Sequence, residues 1–348
     1  MEMIELLQRS IEANASDILI TVGVPPVLRV NGQFNKMELE KLSPKDAQRI
    51  IYSILSEKQI KSLEENRELD FTYDVPGLSR FRVNVHFQRN SVAATIRTIP
   101  RDVPGFESLN LPIQLINLCK LERGFVLVTG RSTCGKSTTL ATMIDYINKE
   151  RKCHIITVED PIEFLHTHNK SVVEQREVGT DTATFAAALK YALRQNPDVV
   201  LIGEMRDLET ISAAVTAAET GHLVFATLHT LSAVQTIERI IDVFPADQQG
   251  QIRYQLAFTL EGIVTQQLVP SVDGGLVPVC EILFVTPAIR NLIREGNTHQ
   301  IGVLIETGSK FGMQSMDQAL LNLYRAGKIS NSVLVSRISD PEKIKGLL

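Results

Sequence analysis

The segment at 124–140, GFVLVTGRSTCGKSTTL, constrains the fold of this chain more than any other segment. Apolar residues at 125–128 predict a buried strand, and the residues at 138–146 predict a helix. Between them, four residues separate Gly130 from the run GKS at 135–137, which is the spacing of phosphate-binding loops. Because strand, loop and helix occur in the order that this motif requires, we predict an α/β fold with a phosphate site at this loop.

Each part of the phosphate-binding loop (residues 130–137) has a predicted task. Backbone N–H groups of the loop and of the following helix N-terminus should face the phosphates of a nucleotide. Lys136 should reach the β- and γ-phosphates, and the Ser137 hydroxyl should bind Mg²⁺. The predicted nucleotide contacts are Gly130, Arg131, Ser132, Thr133, Cys134, Gly135, Lys136, Ser137 and Thr138.

The composition argues against nucleic-acid-binding, membrane-spanning and zinc-binding proteins. The chain is 44 % hydrophobic and 22 % charged with a net charge of −4, which is typical of a globular protein without a general basic surface. We therefore expect no direct contact with nucleic acid. No apolar run approaches the roughly 20 residues that cross a bilayer, and the N-terminus lacks a signal peptide, which predicts a cytoplasmic protein. The four cysteines contain no C-x-x-C pair, so we expect free thiols rather than zinc ligands.

At 348 residues, the chain is longer than one hydrophobic core usually serves, which predicts two domains. Residues 1–99 contain short helices and alternating strands, and they predict a small α+β domain. Three prolines within 100–112 indicate an interdomain linker. In 113–348 strands and helices alternate, which predicts a mostly parallel sheet. Within that part, the segment 247–268 is predicted to be helical.

Polar residues follow the predicted strands of the second domain, and ligands of open α/β sheets bind at such strand ends. Glu204 ends an apolar strand, so we predict that burial raises its pKa and makes it a general base. A salt bridge of Glu204 with Arg206 or with another arginine is the alternative. His229 ends another strand and is predicted to hydrogen-bond to a phosphate, with a purely structural role as the alternative.

Three carboxylates follow the strand predicted at 154–159. Glu159 and Asp160, with Glu163 close by, are predicted to hold Mg²⁺ through water together with Ser137. The alternative is a charge cluster at the N-terminus of a helix. Glu163 is also predicted to polarise the catalytic site. The nearby stretch 166–168, HTH, is interpreted as an exposed loop without a role.

Two arginines of the first domain complete the predicted catalytic set. Arg82 and Arg97 lie on neighbouring predicted strands whose other face is apolar. Arginines that stabilise a γ-phosphate are often supplied by another subunit, so we predict that these two enter the site of a neighbour. The alternative is a solvated strand face.

Several long motifs resemble those of the type II/IV secretion-system ATPase superfamily, in the same order along the chain. They are the phosphate-binding loop, VEDPIEF at 158–164, LIGEMRD at 201–207 and ETGHLVFATLHT at 219–230. AIRNLIREG at 288–296 and GMQSMDQAL at 312–320 resemble the type IV pilus retraction ATPases, the PilT/PilU group. EGIVTQQLVPSVDGG at 261–275 is similar to the accessory PilU members of that group.

The resemblance implies a PAS-like N-terminal domain at 1–99 and a RecA-like ATPase domain at 113–348, assembled as a homohexamer. It implies ATP and Mg²⁺ as ligands, and ATP hydrolysis that drives type IV pilus retraction, pilin disassembly and twitching motility. The implied partners are the inner-membrane platform protein PilC, indirectly pilin, and a paralogous retraction ATPase, at the cytoplasmic face of the membrane. The alternatives are a hydrolysis-deficient accessory subunit and a secretion or DNA-translocation ATPase.

One residue departs from the family pattern. The loop of the family usually reads GPTGSGKS, whereas this one reads GRSTCGKS, with Thr133 where glycine is usual. If this position needs a positive φ, a β-branched residue there is strained by on the order of 1–3 kcal/mol. This departure predicts weakened nucleotide binding or turnover and favours the accessory alternative.

Overall fold

In the computed structural model, which describes residues 2–30, 32–100 and 102–339, the chain folds as two units, Met1–Asp102 and Val103–Leu348. Part of the predicted linker belongs to the second unit. Phe106 and Leu111 are 8 % and 7 % exposed and pack in the core of that unit.

The first unit alternates helices with short strands. Its elements are α1 (Met3–Glu12), β1 (Asp17–Ile20), β2 (Val27–Val30), β3 (Gln33–Lys36), α2 (Pro44–Tyr52), α3 (Glu57–Asn66), β4 (Glu68–Val75), β5 (Ser79–Gln88) and β6 (Ser91–Ile99). The strands form one sheet in the order β3-β2-β1-β6-β5-β4. Alternate residues Phe81, Val83 and Val85 of β5 are buried, as the alternation in the sequence predicted. They pack with apolar residues of the helices in one core.

The second unit alternates strands and helices along most of its length. Its elements are α4 (Leu115–Cys119), β7 (Gly124–Thr129), α5 (Lys136–Glu150), β8 (His154–Glu159), β9 (Val172–Glu177), α6 (Phe185–Ala192), β10 (Val199–Ile202), α7 (Leu208–Glu219), β11 (Leu223–Leu228), α8 (Ala233–Asp242), α9 (Gln249–Thr259), β12 (Leu260–Pro270), β13 (Leu276–Phe284), α10 (Pro287–Glu295), α11 (Ile301–Thr307), α12 (Met316–Arg325) and α13 (Asn331–Arg337).

The strands of the second unit form a seven-stranded sheet in the order β13-β12-β7-β11-β10-β8-β9. Every neighbouring pair is parallel except β12 with β13, so the predicted mostly parallel sheet is confirmed. All residues of β7, β10 and β11 are buried, because helices cover both faces of the sheet. This order brings the carboxyl ends of β7, β11, β10 and β8 side by side.

The helix predicted at 247–268 is wrong in its second half. Helix α9 ends at Thr259, and the chain continues directly as β12. The run from Gly262 to Thr265 explains the difference, since glycine and β-branched residues lower helix propensity and suit a buried strand. Strand β12 is buried because it lies between β7 and β13. Strand β9 is a second element that the sequence analysis does not predict.

The last helices extend the second unit beyond the sheet. Ser315 caps α12, accepting a hydrogen bond from the backbone N–H of Gln318. Buried residues of α12 and α13 pack on β12 and β13 in a separate core. In the described part of the chain, no helix combines the length and the apolar character needed to cross a membrane.

Candidate active site

The phosphate-binding loop joins the end of β7 to the start of α5. Two of its residues have backbone angles that favour glycine, with φ at +140° for Gly130 and +85° for Gly135. A side chain at Gly130 would also collide, because a Cβ atom there would lie 2.3 Å from the carbonyl oxygen of Gln266. The backbone path of the loop therefore requires both glycines of the motif.

Thr133 adopts the left-handed backbone conformation, with φ at +63°. The side chain is exposed, and its hydroxyl donates a 2.6 Å hydrogen bond to the carbonyl oxygen of Ser132. The condition named in the sequence analysis, a positive φ at this position, is therefore met. A β-branched residue in this conformation is strained by on the order of 1–3 kcal/mol.

Lys136 begins α5 and is 8 % exposed. Its Nζ donates hydrogen bonds to the carbonyl oxygens of Gly130 and Arg131, both at 2.9 Å, which hold the ammonium across the loop. Burial lowers the pKa of Lys136 below its ordinary value, against the opposing effect of nearby Glu204. The neighbouring Ser137 is exposed, so its hydroxyl is accessible to a ligand.

His229 connects the lysine of the loop with Glu204. Its Nε2 lies 2.8 Å from Oε1 of Glu204, and its Nδ1 lies 3.5 Å from Nζ of Lys136. One neutral tautomer satisfies both contacts, because Nε2–H donates to the carboxylate while Nδ1 accepts from the ammonium. The predicted convergence of these strand-end side chains is confirmed, since β7, β11 and β10 are neighbours in the sheet.

Glu204 also forms the ion pair that was considered as its alternative role. Nη2 of Arg206 lies 2.7 Å from Oε2 of Glu204. The hydrogen bond from Arg206 is the largest cause of a pKa below the ordinary value for Glu204, and it outweighs the burial that would raise it. The predicted raised pKa is therefore wrong, because the guanidinium two residues away compensates for the loss of solvent.

Hydrogen bonds hold Glu159, the last residue of β8, and the segment that follows it. Thr157 Oγ1 and Gln175 Nε2 donate to Glu159 Oε1 at 2.7 and 3.3 Å. Burial raises the pKa of Glu159 despite these bonds. Gln175 also donates to the carbonyl oxygen of Phe164 and accepts the backbone N–H of His166, each at 2.8 Å. Gln175 therefore connects Glu159 with the backbone of Phe164 and His166.

A single cavity of about 210 Å³ gathers most of the predicted site. The predicted residues that line it are Ser132, Thr133, Lys136, Ser137, Glu159, Asp160, Glu163, Glu204 and His229. The hydroxyl of Ser137 and the carboxylates of Glu159, Asp160 and Glu163 are oxygen donors of the kind that Mg²⁺ binds, so the donor set fits this ion. Within residues 2–30, 32–100 and 102–339, no three His, Cys, Asp or Glu side chains form a metal site by themselves.

His166 lines the cavity, which corrects its interpretation as part of an exposed loop, whereas Thr167 and His168 are exposed as predicted. Phe164 and Phe185 line the same cavity. Burial lowers the pKa of His166 from 6.5 to about 4, so the imidazole is neutral at physiological pH. No polar pattern in the sequence marked this residue, because its burial depends on β9, which places Gln175 against the segment.

Arg82 and Arg97 lie opposite each other on β5 and β6 of the first unit, and both are exposed. Nε of Arg97 donates to Oδ1 of the buried Asp17 at 2.9 Å, and Arg29 lies 3.8 Å from the same carboxylate. The predicted pair is therefore adjacent in the structure. Its role at the nucleotide of a neighbouring subunit stays a prediction.

Comparison with known proteins places these motifs in a family. Residues 105–301 match the family described as type II/IV secretion system protein. The type IV pilus retraction ATPase PilT of Pseudomonas aeruginosa is 46 % identical over 98 % of this chain and 99 % of its own length. The type IV pilus ATPase PilU of the same organism is 45 % identical over 95 % of this chain and 87 % of its own length.

Solved structures agree with this similarity. The pilus retraction motor PilT with bound ADP superposes with a TM-score of 0.92 at 47 % identity, covering 99 % of both chains. The ATPase DotB of Legionella pneumophila has a TM-score of 0.83 at 30 % identity, covering 96 % of this chain and 95 % of its own. The predicted fold class, a small α+β domain followed by a RecA-like ATPase domain, is confirmed.

Proposed function

The chain belongs to the type II/IV secretion system family of ATPases, in the group of the pilus retraction ATPases, and we propose that it drives retraction of type IV pili. Retraction would disassemble the pilus into pilin and support twitching motility. The observation that carries the proposal is the hydrogen-bonded set of Lys136, His229 and Glu204, in a chain that resembles a pilus retraction ATPase along almost its whole length.

Nucleotide would bind along the phosphate-binding loop. The loop N–H groups and Lys136 would hold the phosphates of ATP, and Thr138 would follow at the base of the helix. Ser137, with Asp160 and Glu159 through water, would hold Mg²⁺, whose charge neutralises the phosphate oxygens when it is bound. Hydrogen bonds already engage Oε1 of Glu159, so we assign the larger share to Ser137.

Glu204 would orient the water that attacks the γ-phosphate. Its lowered pKa keeps the carboxylate ionised at neutral pH, so it can accept a hydrogen bond from that water. The His229 imidazole lies between Glu204 and Lys136. It would hydrogen-bond to the γ-phosphate and so make the position of Glu204 depend on whether that phosphate is present. Glu163 lines the same cavity and would polarise it.

The remaining parts of the proposal concern assembly. Arg82 and Arg97 would reach the γ-phosphate of a neighbouring subunit in a homohexamer, as arginines supplied by another subunit do in other ATPases. The two units would then change their relative angle in each cycle about the part of the predicted linker near the boundary between Asp102 and Val103. The ring would act at the cytoplasmic face of the inner membrane on a platform protein of the PilC type, with a PilU-like paralogue as a further partner.

Hydrolysis by the purified protein tests the catalytic part. We expect Mg²⁺-dependent ATP hydrolysis by a particle with the mass of a hexamer, and its loss in Lys136→Ala. Lys149→Ala is the matched control, because Lys149 lies at the other end of the same helix and is exposed. Hydrolysis that survives Lys136→Ala would contradict the assignment of the loop.

Motility tests the biological part. In a piliated bacterium without its own retraction ATPase, expression of this chain should restore twitching, and expression of the Lys136→Ala variant should not. Hydrolysis without restored twitching, although the protein co-purifies with the pilus machinery, would contradict retraction as its task.

A second candidate is a nucleotide-binding accessory subunit with little hydrolysis of its own. The strained Thr133 favours it, together with the 45 % identity to PilU. Binding of MgADP without measurable turnover, and stimulation of a paralogous ATPase in mixed particles, would favour this candidate.

A further inference from the structure

Gln266 lies on β12 beneath the phosphate-binding loop and is 2 % exposed. Both polar atoms of its amide form hydrogen bonds. Nε2 donates to the carbonyl oxygen of Cys134 at 2.8 Å, and Oε1 accepts from the hydroxyl of Thr139 at 2.7 Å. One buried side chain therefore connects the loop, the first turns of α5 and the neighbouring strand.

The backbone of the loop also packs closely against Gln266. A Cβ atom at Gly130 would lie 2.3 Å from the carbonyl oxygen of Gln266, and one at Gly135 would lie 2.9 Å from its Nε2. Both glycines of the motif therefore approach Gln266, one its main chain and the other its side chain. At Gly130 the contact is with the backbone and leaves no room for a side chain, whereas at Gly135 a Cβ atom would displace the amide of Gln266.

The hydrogen bond to Cys134 has a consequence for the next N–H group. In a planar trans peptide, the C=O of one residue and the N–H of the next point in opposite directions. Since Gln266 holds the carbonyl of Cys134 towards β12, the N–H of Gly135 points away from β12. The amides of such a loop bind phosphate only when they are directed outwards together.

We propose that Gln266 is a positioning residue for the phosphates, because its amide sets the orientation of the Cys134–Gly135 peptide. The inference rests on the proposed nucleotide site and extends it to a residue that lies outside the motif. Gln266 does not line the cavity, and it acts through the loop.

Replacement of the amide by an isosteric thioether isolates this effect. In Gln266→Met the carbonyl of Cys134 and the hydroxyl of Thr139 lose their buried partner, and such a loss is costly where water cannot replace it. Gln267→Met is the matched control. It makes the same change on the next residue of β12, whose side chain points to the opposite face of the sheet.

We expect the dissociation constant for MgADP, measured with a fluorescent ADP analogue, to rise on the order of tenfold in Gln266→Met. Loop amides contact the phosphates before and during reaction, so KM should rise more than kcat falls. Gln267→Met should bind as the wild type does. A residue with only a structural role would lower the melting temperature and leave the dissociation constant unchanged, and that result in Gln266→Met would overturn the inference.

If Gln266→Met does not fold, a milder variant tests whether Gln266 positions the loop. Thr139→Val removes the donor that holds Oε1 of Gln266, so the amide is less constrained. We expect weaker MgADP binding than in the wild type, and wild-type binding in this variant would then overturn the inference. A wild-type protein that binds no MgADP would overturn the nucleotide site and the inference together. Binding that is lost in Lys136→Ala but unchanged in Gln266→Met would overturn the inference alone.

Discussion

Nε2 of His229 lies 2.8 Å from Oε1 of Glu204, at the ends of two adjacent parallel strands. The same imidazole faces the Lys136 ammonium with its other nitrogen, so it forms a direct connection between the phosphate-binding lysine and the carboxylate. Because the two contacts require one tautomer, a change at either end alters the hydrogen bond at the other.

Replacing Glu204 by glutamine should separate catalysis from binding. Glu204→Gln keeps an acceptor for His229 but removes the charge that orients water, so we expect kcat to fall at least about 100-fold. The affinity for MgADP should change by no more than a few-fold. Steady-state hydrolysis and nucleotide titration measure the two effects. Glu209→Gln, an exposed residue of α7, is the control. A Glu204→Gln enzyme with near wild-type turnover would remove Glu204 from the catalytic set.

Thr133→Gly should relieve the strain in the loop. Glycine adopts the observed φ of +63° without steric cost, so nucleotide affinity or turnover should rise several-fold. Thr133→Val is the matched control, because it keeps the branched Cβ and removes only the hydroxyl that bonds to Ser132. Equal rates in Thr133→Gly and the wild type would show that strain does not limit this enzyme.

His166 should make the fold sensitive to mild acid. Its pKa is about 4 in the folded protein and 6.5 ordinarily, so the unfolded chain binds a proton that the folded chain does not. Stability is therefore constant above pH 6.5 and falls as the pH drops towards 4, by about 2 kcal/mol between pH 7.5 and 5.

Urea unfolding at these two pH values tests this linkage. His166→Gln should show a smaller loss of stability than the wild type between pH 7.5 and 5, because it removes the titrating group. His299→Gln, a change at an exposed histidine, should behave as the wild type does. The same acid dependence in His166→Gln would mean that another group is responsible.

Arg82→Ala should impair hydrolysis by the assembled protein while sparing nucleotide binding by each subunit. An arginine supplied by another subunit contributes on the order of 10³-fold or more to the rate. We therefore expect a large fall in kcat, and partial recovery when Arg82→Ala and Lys136→Ala subunits are mixed, since some mixed sites regain both groups.

Arg89→Ala is the control for this experiment, because Arg89 is an exposed residue in the turn after the same strand. Arg97 is the second target, although its bond to the buried Asp17 means that Arg97→Ala also disturbs the sheet. Normal hydrolysis in an Arg82→Ala ring would assign this arginine to a solvated strand face.

Structural features that depend on neighbouring residues could be predicted from the sequence. The phosphate-binding loop and most strands depend on residues close together in the chain, and so do the helix caps that the structure shows at Ser43, Thr184 and Ser315. For these, residue type and spacing determine the local geometry.

Other features depended on residues far apart in the chain. The predicted helix at 247–268 failed because a run of β-branched residues gained more by pairing with β7 and β13. Glu204 has a lowered pKa because Arg206 donates a hydrogen bond to it, and His166 is partly buried because β9 packs beside it. Gln266 is 132 residues from Cys134 in sequence, and no local pattern marks it. The sequence alone thus determined which chemical groups are present and the local backbone that carries them, whereas the tertiary structure decided their burial, charge state and contacts, because these depend on distant segments brought together by the sheet.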